Sequence, residues 1–408
     1  MKDTYELPIS TSTVAAGDAF NRALVAFAGF DADVVERVQA VQKADPAFAL
    51  GHCLWGYVMM LAYSRAALPV AEEAARTAAA HAAGATPREQ AHVRALERWV
   101  AGDVDGALRE WEAILATSPR DLLALRLAHA NYFWAGRGAE MRPSLERVAS
   151  HWGDRDSGFL ACLAFALEET GDYEAAERTG RRAVELDPTE VWGAHAVAHV
   201  LEMQRRSEEG VAWLAGLEPN WNGKGAFLHH LWWHRAMFHL ARREFDTVLD
   251  LYDRRIRNLQ SPLVTALPDF HVDVQNAASM LFRLELRGVP VEGRWSELAE
   301  KAEARIGDQL SVWTLPHWMM ALAAEGRDAQ SRLMLKALAE SENRAVREVA
   351  LPVCQAVLAH RRGEHERVVA LMTPVRNRLA ELGGSHAQRD VVAQLYADSR
   401  RRVERVAA

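Results

Sequence analysis

The sequence predicts an all-α protein built from stacked helix-turn-helix units, and three observations predict it. Ala, Leu, Arg and Glu are abundant, whereas only four isoleucines occur (Ile9, Ile114, Ile256 and Ile306). The abundant residues are helix formers, while a sheet of several strands draws on β-branched side chains. Glycines 102, 136 and 171 close apolar stretches at intervals of 34 and 35 residues, the period of an array in which each helix pair covers its neighbour. Further turn signals fall near Arg205, Arg243, Gly288, Gly326 and Gly363, at less regular spacing. With 408 residues, 50% apolar and 25% charged, the chain has the composition of a globular protein with a substantial core.

Taken in order, residues 1–40 are expected to cap the array, 41–345 to form degenerate repeats, and 346–408 to close it with further helices. The two best repeats share a pattern. Gly102-Asp103-Val104 is followed by Ala107, Trp111, Ile114 and Pro119, and Gly171-Asp172-Tyr173 by Ala176, Ala183, Leu186, Asp187 and Pro188. Small residues suit a helix crossing, Gly-Asp a turn, and Pro the start of the next helix. This pattern resembles the tetratricopeptide repeat. It implies one right-handed α-solenoid domain over residues 1–408, of roughly nine helix pairs tightly curved around a central lumen, with a functional region at 190–320.

Charge and cysteine content narrow the partners. Net charge is −7, the isoelectric point is near 6.2, and no Lys/Arg-rich run occurs. Nucleic acid, which binds through a basic stripe, is not expected. Cys53, Cys162 and Cys354 lie far apart with no CxxC, which fits packed thiols in a reducing cytoplasm. The N-terminal stretch is polar and no apolar run approaches a membrane span, so a cytoplasmic protein with no membrane partner is expected.

Chemistry-bearing residues gather in the centre. Seven of sixteen histidines lie between His195 and His271. His195 and His199, then His230 and His234, each form His-x-x-x-His, a spacing that can present two imidazoles to one metal from one helix face. Glu202 falls on the stripe of His195 and His199, at positions 12, 5 and 9 counted from Val191. The four histidines are therefore candidate ligands of a divalent ion (Zn, Fe or Mn), with Glu202 as fifth ligand or general base. Without a metal, Glu202 is expected to hold one imidazole protonated for acid catalysis or for gripping an anion. Trp192, Trp213, Trp221, Trp232, Trp233 and Trp313 share the region, as core or as walls of a small-molecule pocket. A nucleophile elbow and a phosphate loop are absent from the sequence.

Longer stretches carry a second likeness. They include Gly51-His52, Ala124-Leu125-Arg126…His129, His195…His199…Glu202-Met203 and His230…Trp233-His234. Asp273…Ser279-Met280-Leu281-Phe282-Arg283, His317 and Leu382-Gly383-Gly384-Ser385…Gln388-Arg389-Asp390 continue it. In these, from about residue 40 to 395, the chain resembles the tetratricopeptide-repeat protein 38 family. The resemblance implies a shared fold and site but no particular reaction. Relatives commonly carry an acid two positions before the histidine matching His317, where this chain has Leu315. Catalytic roles are expected for Glu202, His199, His234 and Asp273, and ligand contacts for His52, His129, Trp192, Trp233, His317 and Arg283. The expected function is binding of a small molecule, with metal-assisted or His/Glu acid–base chemistry of a hydrolase or lyase. The alternative is a scaffold that holds a peptide or protein in its groove, the usual role of such repeats.

Overall fold

The computed structural model describes residues 1–407, and among them lie 22 α-helices and no strand. Two isolated bridges, Lys2 with Pro8 and Asp31 with Lys224, are the only β-type pairs among the described residues. The chain divides into two compact units. One comprises 1–132, 138–200 and 213–228, the other 133–137, 201–212 and 229–408. No helix among the described residues is long and apolar enough to cross a membrane.

The hairpin turns explain the regularity of the sequence. Gly102, Gly171, Gly288, Gly326 and Gly363 all have positive φ, and so do Arg205 and Arg243. After each, the next amide donates to a carbonyl five residues back: Asp103 to Arg98, Asp172 to Leu167, Arg206 to Leu201, Glu244 to His239, Val289 to Leu284, Arg327 to Leu322 and Glu364 to Ala359, all at 2.8–3.1 Å. This is the Schellman closure, which satisfies the last helical carbonyls through a left-handed residue. Gly102 and Gly171 have open space where a Cβ would stand, so backbone conformation, not crowding, explains the glycine there.

Within a hairpin the two helices have different compositions for a packing reason. In the first unit, the Ser157–Glu169 helix buries Phe159, Leu160, Ala161, Cys162, Ala164, Phe165, Ala166 and Leu167 on all its faces, with Glu168 among them. Its mate, Tyr173–Leu186, buries only a stripe of Ala176, Gly180, Ala183 and Val184. The first helix is thus sandwiched and the second faces water. Asp156 starts the inner helix by accepting from the Phe159 amide, a cap worth about 1 kcal/mol. The following helix, Val191–Met203, crosses close to Gly180, whose hypothetical Cβ would stand 2.7 Å from Val197 and 3.2 Å from the Gly193 carbonyl. That contact sets the level of the histidines on this helix.

In the second unit, His271–Glu285, Thr314–Ala324 and Leu351–Arg361 take the inner role, and Phe282, Leu284, Trp313, Met319 and Val353 join one core. The Gly383-Gly384-Ser385 stretch is structural. Both glycines have positive φ, and a Cβ on Gly384 would meet the Trp313 indole at 2.8 Å. Ser385 and Gln388 then close a reciprocal capping pair on the His386–Ala407 helix. The three cysteines are buried and unbridged. Burial pushes the Cys162 thiol up to about 11, so it packs as an apolar group.

Candidate functional site

Each unit contains a group of buried histidines on one helix. In the first, the Val191–Met203 helix presents His195 and His199 one turn apart, 2% and 0% exposed. Their Nε2 atoms stand 2.9 Å from each other. Two neutral imidazoles cannot both direct lone pairs at that separation, so either one nitrogen carries a proton or both address a common cation. On the far side of His199, Nδ1 lies 3.6 Å from Glu168 Oε2, and that carboxylate is fully buried. Phe165 stacks on His195 at 5.2 Å and meets His199 edge-on at 5.3 Å. Trp192 and Phe227 complete the walls, with ring centroids 4.7 and 5.2 Å from His195.

Beside this pair lies His129, at 5.7 Å from Trp192. Burial, then the Arg126 charge, lowers His129 to about 3, so it stays neutral. Arg126 lies over the Phe30 ring at 5.5 Å and approaches Glu190 at 3.7 Å. His52 is elsewhere in the unit. It contacts Gln42 and the Pro46 carbonyl and lines a cavity of about 400 Å³ with Trp55, Pro69, Val70 and Glu73.

The second unit contains His229, His230 and His234 on the Phe227–Ala241 helix, and each has an oxygen on Nδ1. His229 meets Asp273 Oδ2 at 2.8 Å, His230 meets Asn276 Oδ1 at 2.8 Å, and His234 meets Glu202 Oε2 at 2.9 Å. Such outer partners fix the orientation of metal-binding histidines. For His230, the amide oxygen of Asn276 can only accept, which puts the proton on Nδ1 and the lone pair on Nε2. Trp233 stacks on His230 at 5.3 Å and donates to Ser279 Oγ at 3.1 Å. The Arg283 guanidinium lies over Trp233, donates to the Ser279 and Ala387 carbonyls, and faces Asp390 at 3.7 Å. His317 is held by the Trp313 carbonyl at 2.9 Å.

Electrostatics differ from the expectation that Glu202 protonates an imidazole. Burial, with a smaller push from Arg283, lowers His234 to about 3. Burial also raises Glu202 to about 8, although 16% of its side chain remains exposed and water moderates the rise. Burial works against a charge on either partner of this pair. Burial, then the His234 charge, lowers His230 to about 3 as well.

Several expected residues therefore meet within a unit. His195, His199, His129 and Trp192 gather in the first, and Glu202, His230, His234, Trp233 and Arg283 in the second. Asp273 binds His229, a neighbour that the spacing argument passed over. Glu168 and Asn276 were also missed. Their only sequence signal was position, one helix away from a histidine.

No family model matches the chain. Among solved structures, a tetratricopeptide repeat protein from Parabacteroides merdae is 14% identical, with TM-score 0.39, covering 77% of this chain and 98% of that one. The MamA protein is 14% identical, with TM-score 0.32, covering 41% and 88%. The P58(IPK) TPR domain is 12% identical, with TM-score 0.25, covering 79% and 99%.

Proposed function

We propose that the protein holds a divalent transition-metal ion on imidazole nitrogens and uses it to act on a small molecule. The proposed ligands are His195 and His199 in the first unit and His230 and His234 in the second. The observation that carries this reading is the oxygen on Nδ1 of His230 and His234, from Asn276 and Glu202. Such partners orient an imidazole and raise its basicity toward a metal. The 2.9 Å approach of the His195 and His199 Nε2 atoms supports it, since two ligands of one ion stand about that far apart. Within the second unit, Glu202 bonds to His234, which places a carboxylate beside the His230–His234 pair. A resident ion would supply Lewis acidity or an activated water, suited to hydrolysis or elimination. Trp192, Phe165 and Trp233 provide apolar walls for the substrate. Likeness to the tetratricopeptide-repeat protein 38 family belongs with this reading.

The second reading is a scaffold for a peptide or protein. The cavity lined by His52, Trp55, Pro69 and Val70 favours it, being mainly apolar and set on consecutive helices.

Loading of the chelator-treated full chain with zinc, ferrous iron or manganese tests the first reading. His199→Ala and His234→Ala should each retain one ion fewer per chain than the wild type while helical circular dichroism persists. His151→Ala, at an exposed position, should retain as much as the wild type. Equal metal content in all four proteins would sink the metal reading and leave the scaffold.

A further inference from the structure

A different cluster lies in the second unit, where the last hairpin meets the C-terminal helix. His360 ends the Leu351–Arg361 helix, and His365 begins the His365–Met372 helix across the Gly363 turn. Asp398 belongs to the His386–Ala407 helix. One donor atom from each of the three lies within 4.8 Å of the other two. His360 Nε2 and Asp398 Oδ2 are 3.0 Å apart, and the two imidazole rings are 5.5 Å apart and nearly perpendicular.

We propose that His360, His365 and Asp398 form a second, solvent-accessible site for zinc or a similar divalent ion, which staples the C-terminal helix to the last hairpin. Two imidazoles and a carboxylate are the donor types such an ion selects, with a fourth position left to water. Ligands about 2.0–2.2 Å from an ion stand roughly 3–3.5 Å from each other, so the His360–Asp398 approach already has the required span. The ion replaces the direct hydrogen bond between these two and draws His365 in from the opposite side of the turn.

Neighbouring groups are compatible with this. Ser399 Oγ lies 3.2 Å from His365 Nδ1; with that nitrogen donating, Nε2 carries the lone pair. Arg402 donates to Asp398 Oδ2 at 2.8 Å, and Arg401 approaches Oδ1 at 3.7 Å. These cations compete with a metal for the carboxylate. Both arginines are more than half exposed, at 66% for Arg401 and 54% for Arg402, and exposed pairs of this kind contribute little. The arginines also help to keep Asp398 ionised: burial works against its charge, and Arg402 and His360 outweigh it. Burial holds His360 below its ordinary value and thus neutral. His360 and Asp398 remain 14% and 12% exposed, which gives an ion a route from solvent.

The site is independent of the central histidines, and its test separates the two. The chelator-treated full chain is titrated with zinc alone, and bound zinc is counted for the wild type, His365→Ala and Asp398→Asn. Each variant should bind one equivalent less than the wild type, whatever the central histidines hold. Zinc should also slow amide exchange in residues 395–403 of the wild type and not of His365→Ala. Asp398→Asn can keep the hydrogen bond to His360, so its loss of zinc reports ligation and not unfolding. Equal zinc stoichiometry in all three proteins, or unchanged exchange in residues 395–403, would overturn the proposal.

Discussion

Glu202 shows how little of a side chain's role its spacing alone can tell. Its register on the helix of His195 and His199 was legible as an i, i+4, i+7 stripe, which suggested a ligand or base. In the structure its Oε2 addresses His234 Nδ1, the place of an outer partner that aims an imidazole. Glu202→Gln should therefore weaken metal binding by roughly 10–100-fold without abolishing it, as measured by competition with a chromogenic chelator. Asn276 and Glu168 had no such signal, because a partner's oxygen is recruited through tertiary packing and has no fixed sequence offset. The same is true of Asp121. Burial works against its charge, yet His92 at 3.0 Å and Arg88 at 3.0 Å together hold its carboxyl well below the usual range. The folded-state value lies below the unfolded one, so this contribution is present above the unfolded pKa near 4 and is lost as pH falls through the folded value. Asp121→Asn removes one of the two carboxylates that face Arg88, leaving Asp3 at 3.1 Å, and should cost about 1–3 kcal/mol at pH 7, read by urea denaturation.

At the scale of elements, the turns were the most legible feature, because a left-handed residue selects glycine and glycine recurs. Gly102, Gly171, Gly288, Gly326 and Gly363 all take the conformation that their positions implied. Arg205 and Arg243 take it too, at 60° and 62°, without the glycine that would normally mark it. There the hairpin is imposed by the packing of its two helices over the local preference of one residue. An arginine in this region costs about 1 kcal/mol or more relative to glycine. Both side chains are exposed, so Arg205→Gly and Arg243→Gly should each raise stability by about 0.5–1 kcal/mol in chemical denaturation. The opposite change, Gly180→Val, places bulk against Val197 and the Gly193 carbonyl. It should destabilise by roughly 1–3 kcal/mol and displace His195 and His199 with the helix that carries them. The tail segment was recognisable as a motif but its purpose was not. Two left-handed glycines and a Ser385–Gln388 cap have value only against Trp134, Trp313 and Gln275, which are distant in sequence.

For the whole molecule, the all-helical class followed from composition and period, since both reflect the chain's bulk. What composition could not reveal is how many histidines are buried in neutral form. Burial lowers His129, His230, His234, His271 and His317 each to about 3. Unfolded histidine takes up a proton near 6.5, so below that pH the unfolded chain binds more protons and stability falls. Each such histidine should contribute up to about 1.4 kcal/mol per pH unit between roughly 6.5 and 3. Denaturation midpoints in the metal-free protein should accordingly drop steeply from pH 7.5 to 5.5, and a flat profile would show that these imidazoles are hydrated. The same neutral nitrogens are what a metal requires, and anomalous diffraction from crystals grown with zinc tests that claim most directly. The account predicts anomalous density about 2.0–2.1 Å from the Nε2 atoms of His195 and His199 in the first unit and of His230 and His234 in the second. A zinc-soaked crystal with no peak at these nitrogens, and zinc bound only elsewhere, would contradict it.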